Sequence, residues 1–148
     1  MKRSKWFSHG FVAFVLVLAA AFAVVAADVK DEFTIKSGLW PTPTKAPVPF
    51  THKKHAEDYK IACSDCHHVF KDGKNVWKEG DPVQRCEACH TNAEVQGEAK
   101  LPPEEKKLNL KLAFHNNCQG CHKQLKKDKP DTKAPITCTG CHPGEKKE

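Results

Sequence analysis

Eight cysteines stand in four pairs at one spacing: Cys63 with Cys66, Cys86 with Cys89, Cys118 with Cys121 and Cys138 with Cys141. A histidine follows each pair directly, at His67, His90, His122 and His142. In a C-x-x-C-H unit the two thiols form thioethers to the two vinyl groups of one haem, and the adjacent imidazole reaches the iron from one side. Two other chemistries use cysteine this densely: the disulfide scaffold of an exported domain and zinc held by paired C-x-x-C units. Neither accounts for the histidines. With 9 histidines in 148 residues, a histidine directly after all four pairs arises by chance on the order of once in 100,000 such sequences. The sequence therefore implies four covalently attached haems c.

Setting aside His9 and the four motif histidines, the chain holds four more: His52, His55, His68 and His115. Four spare imidazoles face four irons. The single methionine is Met1, so histidine-methionine ligation has no ligand to draw on beyond the N-terminus. Iron bound by two histidines at each haem is the economical assignment. His52 and His55, three apart, would share one face of a helical turn and could serve two neighbouring haems. His68 adjoins His67, so two imidazoles diverge from one backbone point toward different irons. With both axial positions filled, no iron is open to oxygen, peroxide or nitrite, and electron transfer rather than enzymatic bond-making is the expected role. Two imidazoles, without the thioether ligand that raises potential, imply low reduction potentials.

The elements that must position these ligands are short. Lys2, Arg3 and Lys5 precede an apolar run from Phe11 to Val25 that ends in Val25-Ala26-Ala27, the pattern of a secretory signal peptide cleaved after Ala27. Residues 28–49 hold no cysteine or histidine and four of the ten prolines (Pro41, Pro43, Pro47, Pro49), an extended or looping segment that supplies no ligand. Residues 50–148 form the haem-bearing domain. Short helices are expected over Glu104 to Leu112, opening after Pro102-Pro103, and over about Asn117 to Leu125, with weaker signals over Glu57 to Ile61 and Val83 to Ala93. No alternating strand stands out. The fold class is small and mostly irregular with a few short α-helices, its core built around the haems because the chain beyond residue 27 holds only Phe33, Phe50, Phe70, Phe114, Trp40, Trp77 and Tyr59 as aromatic mass.

Charge is uneven. Residues 28–99 carry ten basic and twelve acidic side chains, a net −2, whereas 100–148 carry eleven and six, a net +5. The C-terminal part is thus the expected docking face for an acidic partner. Nucleic-acid binding is not expected, since the basic residues lack interleaved aromatics beyond Phe114. Nothing resembles a nucleophile triad or a phosphate loop. A membrane-tethered quinol-oxidising cytochrome would keep the N-terminal helix, against Val25-Ala26-Ala27, and a terminal reductase of an inorganic ion would need a vacant axial site.

The order Phe50-Thr51-His52-Lys53-Lys54-His55, then Cys63-Ser64-Asp65-Cys66-His67-His68, then a lone His115 before the third motif resembles the tetrahaem cytochrome c3 family, the class III c-type cytochromes of sulfate-reducing bacteria. The resemblance is read from about Phe50 to Pro143. It implies a cytochrome c3-like fold and axial pairs of His67 with His52, His90 with His68, His122 with His55 and His142 with His115, with Phe50 beside the first haem. It also implies a periplasmic shuttle in sulfate-type anaerobic respiration, between hydrogenase or formate dehydrogenase and a membrane-bound redox complex. The family docks hydrogenase through lysines around the fourth haem; here Lys123, Lys126, Lys127, Lys129 and Lys133, with Lys146 and Lys147, occupy that stretch. In one respect the chain departs from the commonest members, which space the second and fourth cysteine pairs as C-x4-C-H.

Overall fold

The structure, a computed structural model, describes residues 31–144, so the expected signal sequence, its expected cleavage after Ala27 and the lysines Lys146 and Lys147 lie outside the described residues. Strand β1 (Phe33–Ile35) pairs antiparallel with β2 (Val48–Phe50), Phe33 opposite Phe50 and Ile35 opposite Val48. The Phe33 and Phe50 rings meet edge to face at 5.3 Å. A second ribbon joins β3 (Phe70–Lys71) to β4 (Lys74–Asn75) through Asp72-Gly73, both at positive φ (49° and 75°), the backbone of a tight type I′ hairpin turn. These two ribbons correct the expectation of no strand. The Asp-Gly dipeptide was the available signal; β1 and β2 are too short to show alternation.

The helical parts are single turns and one broken run. Helices α1 (Pro103–Leu108), α2 (Leu110–Phe114) and α3 (Gly120–Asp128) follow one another, with a π-turn over His115–Gln119 between the last two. The helix expected over Glu104 to Leu112 is divided at Asn109, whose extended ψ of 120° ends α1 while its side chain caps α2 by accepting from the Leu112 N–H. A further π-turn covers Lys54–Asp58, in place of the turn expected over Glu57 to Ile61, and between Val83 and Ala93 only Cys86–Ala88 is helical, as one 3₁₀ turn. Helix α4 is Cys138–Cys141.

Among the described residues the buried side chains are few: Trp77, Leu110 and the polar Asn109. Asn109 donates to Asn92 Oδ1 (3.0 Å) and to the Glu94 carbonyl (2.8 Å), and the backbones of Asn92 and Asn109 form a parallel bridge. The second motif is thereby fastened to the α1–α2 junction. The segment before Phe50 is stitched into the same body: Arg85 donates to the Lys36 carbonyl (2.7 Å) and Trp40 Nε1 to the Ala93 carbonyl (2.9 Å). No helix among the described residues is long and apolar enough to cross a membrane.

Candidate haem-binding site

Three of the four motifs are single helical turns entered from extended backbone. Ala62, Arg85 and Thr137 have ψ of 138°, 147° and 159°, after which the chain turns over Cys63–Asp65, Cys86–Ala88 and Cys138–Cys141. The histidine N–H then closes on the carbonyl of the first cysteine, His67 to Cys63 at 2.8 Å, His90 to Cys86 at 2.9 Å and His142 to Cys138 at 2.7 Å. One turn thus presents both thiols and the imidazole to the same side. At Gly140 in the fourth motif a Cβ would lie 3.0 Å from Thr137 Oγ1, the oxygen that caps this turn, and 3.1 Å from the Pro135 Cβ, so a side chain there would crowd both. The third motif begins in the π-turn and finishes in α3, so helix packing rather than an isolated turn fixes it.

The four motifs converge. Burial, and beside it the Cys66, Cys141 and Cys86 thiols, push the Cys118 thiol up to about 11, so cysteines of all four pairs share one neighbourhood. Burial likewise raises Cys66, Cys86 and Cys141. All eight thiols are free of disulfides, and no group of three or more His, Cys, Asp or Glu is gathered as a metal-ion cluster among the described residues.

The histidines meet in pairs drawn from distant parts of the chain. His52 lies 6.2 Å from His67 between ring centroids, His55 6.2 Å from His122, and His68 5.9 Å from His90. The His55 and His122 rings are near parallel, at 16°, whereas the other two pairs meet at 49° and 87°, so the common spacing does not come from a common stacking geometry. A ring nitrogen lies about 1.2 Å from its centroid and binds a transition metal at about 2.0–2.1 Å, so two imidazoles on opposite sides of one ion stand roughly 6–6.5 Å apart. The adjacent His67 and His68 do diverge, to His52 and His90, while His52 and His55 reach His67 and His122. His115 and His142 are close enough that His142, after burial and Lys111, helps hold His115 below the usual histidine range. His67 is held low by burial first, then by His52 and His68. Phe50 stands 4.7 Å from the His55 ring and 6.0 Å from His52, between two of the pairs.

Four imidazoles are further fixed by backbone carbonyls: His55 Nδ1 at 2.8 Å from the Thr51 oxygen, His90 at 2.9 Å from Lys107, His122 at 2.8 Å from Pro135 and His142 at 2.6 Å from Ala46. A carbonyl only accepts, so each Nδ1 carries the hydrogen and donates it, leaving the Nε2 lone pair for a metal. The same contact orients the ring and raises its basicity as a ligand. Sequence reasoning could not find these partners, because the acceptors are main-chain atoms of Thr51, Ala46, Lys107 and Pro135, whose side chains carry no such information. Ala46 lies in the segment expected to supply no ligand; what it supplies is an acceptor for His142.

Paired imidazoles at metal-spanning distance, Nδ1 hydrogens turned to the backbone, and eight free thiols on C-x-x-C-H turns fit covalent haem, and with the small, mostly irregular fold they define a multihaem c-type cytochrome. The chain belongs to the class III cytochrome c family, whose model matches residues 27–142 and so takes in the segment before Phe50 as well. It is 35% identical over 125 residues to "Cytochrome c3" of Maridesulfovibrio salexigens, which spans 80% of this chain and 99% of that protein. To "Cytochrome c3" of Desulfovibrio desulfuricans it is 33% identical over 123 residues, 78% of this chain and 97% of the relative. A 94-residue stretch, 62% of the chain, is 36% identical to 15% of the "High-molecular-weight cytochrome c" of Nitratidesulfovibrio vulgaris. Membership makes the chain a carrier of electrons on covalently bound haem c.

Proposed function

We propose that this chain is an exported, periplasmic electron carrier with four low-potential haems, each iron held by two histidines. Cys63 and Cys66 attach the first haem between His67 and His52, and Cys86 and Cys89 the second between His90 and His68. Cys118 and Cys121 attach the third between His122 and His55, and Cys138 and Cys141 the fourth between His142 and His115. When bound, each haem supplies a one-electron Fe(III)/Fe(II) couple. The observation that carries the reading is the set of three histidine pairs at 5.9–6.2 Å, each joining a motif histidine to a lone one.

The paired imidazoles would hold each iron from both sides, which would leave a substrate no place to coordinate, so the protein would accept and deliver electrons by contact with other proteins. His55, His90, His122 and His142 keep their orientation through the Nδ1 contacts, which reduces the rearrangement that a change of iron charge would demand. Lys123, Lys127, Lys129 and Lys133 are exposed on α3 and the loop toward the fourth motif, with Lys126 beside them donating to the Thr132 carbonyl. None of the five is in an ion pair among the described residues, which leaves them to steer acidic partners: a hydrogenase or formate dehydrogenase on one side, a membrane-bound redox complex on the other.

The mass of the exported holoprotein tests the reading. Residues 28–148 plus four haems is the expected value; a mass short by one haem or more, or one that retains residues 1–27, contradicts it.

A further inference from the structure

Five ion pairs are present among the described residues, and in four of them at least one side chain is more than half exposed. The fifth, Lys111 with Glu98, is withdrawn from solvent at both ends, with 28% and 17% of the two side chains exposed. Water and dissolved salt screen such a pair least, so its charges act on their surroundings most strongly.

Both charges are held in place. Lys111 Nζ donates to the Val95 carbonyl (2.7 Å) as well as to Glu98 Oε1. Glu98 opens the 3₁₀ turn Glu98–Lys100, and its Oε2 accepts from the Gly97 N–H (3.1 Å). Gly97 stands at φ 117°, a conformation that a side chain would strain. The pair also lies one helical turn from a proposed ligand: Lys111 and His115 are four apart, and the His115 N–H closes on the Lys111 carbonyl at the end of α2, so both share one face. His115 responds to both charges. Burial first, then Lys111, His142 and, more weakly, Lys123 hold it below the usual histidine range, while Glu98 acts against them.

We infer that the Lys111–Glu98 pair tunes the reduction potential of the fourth haem, the cation raising it and the anion lowering it. This rests on the ligation of that iron by His142 and His115 proposed above. One electron, delivered by a partner protein, converts Fe(III) to Fe(II) and removes one positive charge at the iron. A fixed cation nearby favours the reduced form and a fixed anion the oxidised form. Lys111 outweighs Glu98 at His115, so the pair as a whole favours reduction.

The test uses the complete holoprotein, with haem number fixed first by mass, and follows each haem by nuclear magnetic resonance through a redox titration. Lys111→Met keeps a long unbranched side chain and removes the cation; Glu98→Gln keeps the shape and removes the anion. Lys111→Met is expected to lower the potential of the fourth haem and Glu98→Gln to raise it, each by about two- to tenfold in the equilibrium constant, or about 18–59 mV for one electron. The double variant is expected to fall between the two. Opposite signs separate tuning by charge from a merely structural role, which would move both variants the same way. Shifts of one sign, shifts under about twofold (about 18 mV), or a larger shift at another haem overturn the inference. Carbon monoxide binding by either variant also overturns it, since the pair would then serve to hold His115 on its iron. A wild-type mass that lacks a haem, or carbon monoxide binding by the wild type, overturns the haem and ligand assignment itself. Should Lys111→Met fail to accumulate, the rise expected for Glu98→Gln decides.

Discussion

His68 is exposed, whereas its ring partner His90 is half-buried and anchored by the Lys107 carbonyl. The contrast makes His68 the proposed ligand that can be removed with least disturbance. His68→Ala leaves His90 as the one imidazole at its iron, so the variant is expected to bind one equivalent of carbon monoxide per chain and to show one high-spin haem in its visible spectrum. No binding would contradict the pairing of His68 with His90. Protonation tests the buried imidazoles from the other side. Burial, followed by His52 for His67 and by Lys111 for His115, keeps both folded pKa values below the ordinary histidine value of about 6.5. Between the lowered folded value and 6.5 the unfolded chain binds more protons than the folded one, so stability rises with pH through that window and is lost as pH falls. Iron coordination, which also requires the neutral imidazole, acts in the same direction. Guanidinium midpoints of the holoprotein are therefore expected to fall as pH drops below about 6.5; a midpoint that rises there would contradict the buried, neutral state of these rings.

At the scale of elements the decisive residue is Asn109, fully buried, capping α2 and bonded to Asn92 and Glu94. It sets the break that lets Lys107 turn its carbonyl to His90. Asn109→Ala removes the cap and leaves the Glu94 carbonyl without its side-chain donor, so a loss of about 1–3 kcal/mol is expected in denaturant titration of the holoprotein. A change under about 0.5 kcal/mol, typical of surface positions, would show the junction to be dispensable. Asn109 also marks the limit of what the sequence discloses. The four C-x-x-C-H units and the four lone histidines are legible because the chemistry restricts the residue type at each position. The helix after Pro102-Pro103 is legible because proline and glutamates mark a first turn. The break at Asn109 is not, since an asparagine two residues after a lysine pair reads as helix surface until Asn92 is brought beside it. The β1–β2 ribbon and the carbonyl acceptors escape for a similar reason: both depend on which distant backbone segments meet. The two π-turns, Lys54–Asp58 and His115–Gln119, each hold a lone histidine, and such turns mark functional positions in helices without a sequence signature.

Taken as a whole, the molecule has almost no apolar core of its own, with only Trp77 and Leu110 buried among the apolar side chains of the described residues. Burying such a side chain contributes about 1.5–3 kcal/mol, so the haems themselves must provide the mass around which this length of chain orders. Replacing all eight cysteines by serine, or expressing the chain without haem attachment, is accordingly expected to give a polypeptide with the circular dichroism of an unfolded chain; a cooperative thermal transition in that material would contradict the account. The distribution of charge belongs to the same scale: residues 28–99 are net acidic and residues 100–148 lysine-rich, the asymmetry on which the proposed docking of acidic partners rests. The central claim is that every iron lies between two histidines, and the visible spectrum of the reduced wild-type holoprotein with and without carbon monoxide tests it most directly. The account predicts low-spin spectra for all haems and no change on adding the gas. A carbon monoxide complex at any haem would mean an open axial position, and would contradict both the pairing of the histidines and the reading of the protein as a carrier alone.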